Sequence, residues 1–185
     1  MTYAIENSQS HHVMRNYKGE INVDELRSRV AMLYFLGISL HTACASKLSR
    51  TPITHWTTVP SLPAKPGEHP LHAILTPFMR PLIEVPLLAA RQTAAPRRFS
   101  ADHFRAMTSV PHGSHVLVID DTWVRGGHAQ SAAHSVRQAG ASTVSILNGA
   151  RYLRGKFGDN AQFIKAQLSQ DYEPLVCPWT GENCP

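Results

Sequence analysis

Apolar positions along the 185-residue chain change their spacing several times, and each change marks an element. Leu26, Val30, Leu33, Tyr34, Ile38 and His41 recur every three or four residues. That period predicts a helix with one apolar face, capped at Asn22 or Asp24 and running to about Lys47. Ile53 to Val59 is rich in β-branched and aromatic residues and reads as a strand that stops at Pro60. Pro60 to Gly67 carries too many Pro for a helix or a central strand, so it is expected to be a stiff loop at that strand's C-terminal end. His69 to Met79 reads as a short helix and Leu82 to Leu88 as a strand, with a basic loop over 89 to 112 and a short helix expected at Asp102 to Met107. Val116 to Ile119 is a continuous apolar run, the mark of a strand buried on both faces, and it is expected to end at Asp120 and Asp121. Ala129, Ala132, Ala133 and Val136 then share one helical face between His128 and Ala139. A strand at Thr143 to Leu147 completes a βαβ unit, and Asn160 to Leu168 is expected to be helical.

Two ends of the chain lack such patterning. Residues 1 to about 22 read as a polar arm with little to pack, and Tyr172 to Pro185 has no helical period. Residues 23–185 are therefore expected to form a single α/β domain with its core at about 53–150. Its open, mainly parallel sheet is flanked by helices, and the N- and C-terminal segments form a small hood.

Composition narrows the class. Hydrophobic residues make up 43% and charged residues 17%, enough apolar area for one core. Val30 to Leu40, the longest nearly uncharged apolar stretch, is about half of the roughly 20 residues a bilayer span needs, so no membrane partner is expected. The net charge of +5, with Arg91, Arg97, Arg98 and Arg105 close together, favours an anionic ligand, and nucleic acid is the lesser candidate. Three Cys cannot form a full disulfide framework, and Met1 to Asn16 lacks an apolar signal core; a reducing cytoplasm is the default.

An apolar strand ending in acids occurs in several kinds of site. A Walker B strand needs a phosphate loop, but Gly149 to Lys156 has the wrong spacing and Phe157 stands where Ser or Thr should follow. A receiver domain would place its paired acids much earlier in the chain, and a GxGxxG turn is absent here. What remains resembles the type I phosphoribosyltransferases in the stretch Val116-Leu-Val-Ile-Asp-Asp-Thr-Trp-Val-Arg-Gly-Gly-His-Ala129. Thr57-Thr58-Val59-Pro60 before a Pro-bearing loop is similar to that family's pyrophosphate loop, and Pro86 to Arg91 resembles the ComF-like branch, although no four-Cys ribbon precedes the domain.

The resemblance implies binding of phosphoribosyl pyrophosphate with Mg²⁺ and transfer of the phosphoribosyl group to a small-molecule acceptor. It assigns Asp120 and Asp121 to catalysis and the ribose hydroxyls, with Mg²⁺ held nearby through the substrate. Val124, Arg125, Gly126, Gly127, His128 and Ala129 go to the 5′-phosphate, and Ser61, Leu62 and Lys65 to pyrophosphate. A homodimer is compatible with it. The family's Thr-Thr-Gly-x-Thr is replaced by Val124 to His128, which removes three hydroxyls and adds the Arg125 guanidinium. Val124 also stands where the 6-oxopurine branch carries an acid, so hypoxanthine and guanine are disfavoured acceptors. A binding-only regulator is the alternative. Separately, His41, Cys44, Cys177 and Cys184 supply the number and types of ligand a structural Zn²⁺ takes, although Cys177 and Cys184 are far apart for a knuckle. Free or buried thiols and a Cys177 to Cys184 disulfide are the other two readings.

Overall fold

The computed structural model describes residues 1–20, 23–92, 95, 97–168 and 170–185. The elements are β1 (Thr2–Ile5), α1 (Gln9–Asn16), α2 (Val23–Ser49), β2 (Ile53–Thr58), α3 (Pro70–Met79), β3 (Ile83–Glu84), β4 (Leu87–Ala89), β5 (Phe104–Ala106), β6 (His115–Trp123), α4 (Gly127–Gln138), β7 (Thr143–Leu153) and α5 (Asn160–Gln167). Five strands form a parallel sheet in the order β1-β7-β6-β2-β3, and β4 pairs with β5 as a separate antiparallel ribbon. The expected class, an α/β fold with an open, mainly parallel sheet flanked by helices, is the one observed.

The apolar run of β6 explains the layering. Leu117 and Ile119 join the core shared with α1, α2 and α3, while Val116 and Val118 join the core under α4 and the β4–β5 ribbon. Side chains alternate along a strand, so a strand covered on both faces must be apolar at every position. From β2 the chain moves outward to β3, then returns to place β6 on the other side of β2. That reversal makes the β2/β6 boundary the switch point, and the crevice beyond the carboxyl ends of these strands is where such sheets bind ligands.

Several expectations are corrected. Residues 1 to about 22 are not a loose arm: β1 pairs with β7 from Thr2↔Ala150 to Ile5↔Leu153, and Val13, Met14 and Tyr17 are buried. Their apolar residues are too few for a recognisable period, but β7 offers a free edge that captures them. The N-terminal segment is thus a sheet strand and a core helix rather than part of a hood. The strand expected over Leu82 to Leu88 divides at Pro86, which cannot donate to a ladder, and the helix expected at Asp102 to Met107 is β5. β6 continues through both acids to Trp123, and β7 runs on to Leu153 beside it. Asn22 lies outside the described residues.

By length and composition alone α2 is long and apolar enough to cross a membrane, a test that a core helix also passes. Here Val30, Tyr34, Gly37, His41, Cys44 and Ala45 form its buried stripe. It runs against the strand direction: the Tyr34 hydroxyl donates to the Asp120 carbonyl near the end of β6, and Ser49 Oγ lies 3.3 Å from His115 Nδ1 at its start.

Candidate functional site

Because β6 stays extended through the acid pair, the two carboxylates point to opposite faces of the sheet. Asp120 faces α4. It lines a cavity of about 80 Å³ together with Arg97, Thr122, Val124, Arg125, Gly126, Gly127 and His128. Asp121 faces the other side, where its Oδ2 accepts a 2.9 Å bond from the Tyr17 hydroxyl and pairs with Lys18 Nζ.

The turn from β6 into α4 is built for close approach to an anion. Gly126 is the N-cap residue at φ +75°, a left-handed conformation, and a Cβ there would meet the Trp123 ring at 2.2 Å. Gly127 opens the helix, and a Cβ on it would meet the backbone of Arg97 and Arg98 at 2.5 to 2.6 Å. The basic loop therefore lies directly over the first turn of α4. Gln130 N–H makes the first intrahelical bond, to the Gly126 carbonyl at 2.9 Å, so the positive end of α4 begins at Gly127. The positive end of the helix dipole thus faces a small cleft whose lining includes Arg97 and Arg125. Ala129 is fully buried and is not among the residues that line this cleft.

Electrostatics divide the two acids. Burial, then the charge of Asp121, pushes the Asp120 carboxyl up to about 8, with Lys18 acting in the opposite direction. Near neutral pH the pair is therefore short of positive charge. The Asp121 side is richer in it: burial, then Lys18, brings the His69 imidazole down to about 4, with His72 and Lys65 adding to the fall and Asp121 opposing it. His69 also caps α3, accepting from the Leu71 N–H at 3.2 Å. Ser61, Leu62 and Lys65 lie in the loop that follows β2, outside the 80 Å³ cleft; Lys65 acts on His69, while Leu62 packs on the core under α4. Ala64 N–H ties this loop to the Ala90 carbonyl at 3.0 Å.

The structure thus brings Asp120 together with Val124 to His128, and it places Asp121 and Lys65 in the field around His69. Tyr17, Lys18, Thr122 and Arg97 were not singled out from the sequence. Arg97 belonged to the visible basic run, and Thr122 follows the acids directly. Nothing local marks Tyr17 or Lys18, which meet Asp121 from more than a hundred residues away.

A second polar cluster lies beside α2. The ligand atoms of His41, Cys44, Cys177 and Cys184 all fall within 4.8 Å of one another. The spacing that made a knuckle unexpected is closed by a turn: Cys177 N–H donates to the Glu182 carbonyl at 2.9 Å, Gly181 N–H returns to the Cys177 carbonyl at 2.8 Å, and Gly181 takes φ +80°. The three cysteines are unpaired, so Cys177 and Cys184 are adjacent without a disulfide.

No family model matches the chain, and no curated protein matches it. Among solved structures it is similar to an allosteric regulatory enzyme of purine biosynthesis, at 18% identity over 76% of this chain and 30% of that one, with a TM-score of 0.46. It is also similar to adenine phosphoribosyltransferase from Saccharomyces cerevisiae, at 17% identity over 86% of this chain and 78% of that one, TM-score 0.46. A third likeness is to purine phosphoribosyltransferase from Pyrococcus horikoshii, at 13% identity over 65% and 84% of the two chains, TM-score 0.36.

Proposed function

We propose that the chain binds phosphoribosyl pyrophosphate across the end of β6 and transfers its phosphoribosyl group to a small acceptor. The observation that carries this reading is one cleft at the sheet's switch point lined by Asp120, Arg97, Arg125 and the Gly126-Gly127 entry into α4. In this arrangement the 5′-phosphate sits against Arg125 to Ala129, with Arg97 and Arg125 replacing the hydroxyls that the family motif supplies. The ribose lies over Asp120, and the pyrophosphate extends toward Lys18 and the loop that carries Ser61, Leu62 and Lys65. Two acids facing opposite sides of one strand suit a ligand that straddles it.

The chemistry follows from charge. An acceptor's electron pair forms a bond to the anomeric carbon while the bond from that carbon to the pyrophosphate oxygen breaks, and the pair in that bond leaves with pyrophosphate. Positive charge develops on the sugar ring in between. Asp120 offsets it, and its carboxyl ionises more readily as cationic character appears beside it. Lys18 and Lys65 face the leaving group's negative charge. The carboxylate oxygens fit Mg²⁺, a hard cation that takes oxygen ligands and is usually shared with phosphates. When bound, it would shield the pyrophosphate, held mainly through the substrate, with Asp120 and Asp121 offering carboxylate oxygens from opposite faces of β6. A cytoplasmic role in nucleotide metabolism accompanies this reading.

One observation favours the binding-only alternative. Asp121 is already engaged by Tyr17 and Lys18, and three hydroxyls of the family loop are missing, so a regulator that holds the ligand without turning it over suits the same geometry. Pyrophosphate release against a panel of purine, pyrimidine and amine acceptors separates the two. Release with one acceptor supports transfer. Binding of the donor without release from any of them supports the regulator.

A further inference from the structure

The cluster beside α2 plays no part in that reading. We infer that His41, Cys44, Cys177 and Cys184 form a structural Zn²⁺ site that clamps the C-terminal turn onto α2. Zn²⁺ takes four N and S ligands in a closed tetrahedron, and bond lengths of about 2.0 to 2.3 Å place those ligand atoms roughly 3.3 to 3.8 Å apart. Cys184 Sγ lies 3.3 Å from His41 Nδ1, and the whole set falls within 4.8 Å, so ligation needs only a contraction of about 1 Å.

The surroundings select which atoms face the metal. His41 Nε2 is 2.8 Å from the Pro174 carbonyl, an acceptor that requires a proton on Nε2. That tautomer leaves the Nδ1 lone pair directed at the cysteines, the outer contact a ligating His commonly makes. Trp179 and Thr180 direct backbone N–H groups at Cys177 Sγ, the outer contacts a ligating sulfur commonly receives. His41 and Cys44 are one turn apart on the buried stripe of α2, so they present their ligand atoms to the same point.

Position argues for a structural role. Tyr34, which reaches Asp120, is seven to ten residues before His41 and Cys44, or about 10 to 15 Å along the helix. α2 runs against the strands, so the cluster lies away from their carboxyl ends. What it joins instead is the tail, where Cys177 is fully buried, Trp179 packs on the core and Lys47 Nζ bonds the Pro185 carbonyl at 2.9 Å. The turn from Cys177 to Cys184 has no helix or strand to hold it, so a metal bond supplies what its packing lacks.

The test uses the full chain, purified under reducing conditions without added metal or chelator. Elemental analysis is expected to find about one zinc per chain. Replacement by Co²⁺ should give the visible and near-ultraviolet bands of tetrahedral thiolate ligation, and a strong chelator should lower the melting temperature, because ligation and folding are linked. Cys184→Ser removes an exposed ligand with little effect on the core, and it should weaken Zn²⁺ binding by more than 10-fold in a chain that still folds. A folded, reduced chain with no zinc and no cobalt bands would overturn the proposal, as would a mass 2 Da low from a Cys177–Cys184 disulfide.

Discussion

The strand-end cleft and the α2 cluster are both built from buried polar groups, but they differ in what completes them. In the cleft, charges of both signs are left only partly matched: Asp120 is pushed toward its neutral form in a small cavity whose lining includes Arg97, Arg125 and the start of α4. Beside α2, four ligand atoms close on a single point and the nearby carbonyl and N–H groups are already engaged. The first arrangement suits a ligand that comes and goes, the second an ion that stays. Poor internal matching at an exposed strand end is therefore a mark of exchange, and full closure a mark of structure.

The largest expected effect concerns the mismatch itself. Asp120 holds its proton more tightly folded than unfolded, so its contribution to stability is fully present below about pH 4 and is lost as pH rises toward about 8. The wild-type melting temperature should fall over this window, with a total effect on the order of several kcal/mol. Asp120→Asn should flatten that fall; equal pH profiles for the two proteins would show that Asp120 is not the strained group.

Next comes Arg125. If its guanidinium takes the place of the missing hydroxyls, Arg125→Ala should weaken binding of phosphoribosyl pyrophosphate by about 1.5 to 3 kcal/mol, or roughly 10- to 150-fold. An analogue without the 5′-phosphate should lose little further affinity. Equal losses for the two ligands would assign Arg125 to the general field rather than to that phosphate, and tighter binding by Arg125→Thr would mean that the guanidinium fills the pocket.

Gly127 tests the seating of the basic loop. Gly127→Val places new carbons against the Arg97 and Arg98 backbone, and the overpacking should destabilise the fold by about 1 to 3 kcal/mol. A melting temperature unchanged by that substitution would mean that the loop does not rest on α4. The smallest effect is expected at Lys18, whose partner Asp121 is buried but which is itself 39% exposed. Lys18→Ala should change stability by less than about 1 kcal/mol in chemical denaturation. It should also raise the pH at which Asp120 titrates, since Lys18 favours its ionised form; an unmoved or lowered midpoint would contradict that field.

The same contrast explains what could be read from the sequence. Apart from Arg97, the cleft is encoded between Val116 and His128, because a buried strand, its acids and the glycine turn into the following helix are local matters that the sequence displays. The α2 helix and the β2 to α3 connection were readable for the same reason. What the sequence did not display was how far β6 would run. Its extension through Trp123 depends on β7 continuing alongside, and that extension sends Asp120 and Asp121 to opposite faces. Likewise β1 depends on the free edge of β7, and Tyr17 and Lys18 on the position that edge imposes. The four metal-ligand candidates could be named from their chemistry, but only the turn at Gly181 shows that Cys177 and Cys184 meet.

The most direct test of the central claim is calorimetry of phosphoribosyl pyrophosphate, titrated with Mg²⁺ present, into the wild-type chain and into the folded Asp120→Asn, Asp121→Asn double variant. The account predicts a saturable heat of binding for the wild type that depends on Mg²⁺ and disappears in the double variant, whose circular dichroism remains that of the native fold. Unchanged affinity in a folded double variant, or no binding by the wild type, would contradict the placement of the ligand at the end of β6.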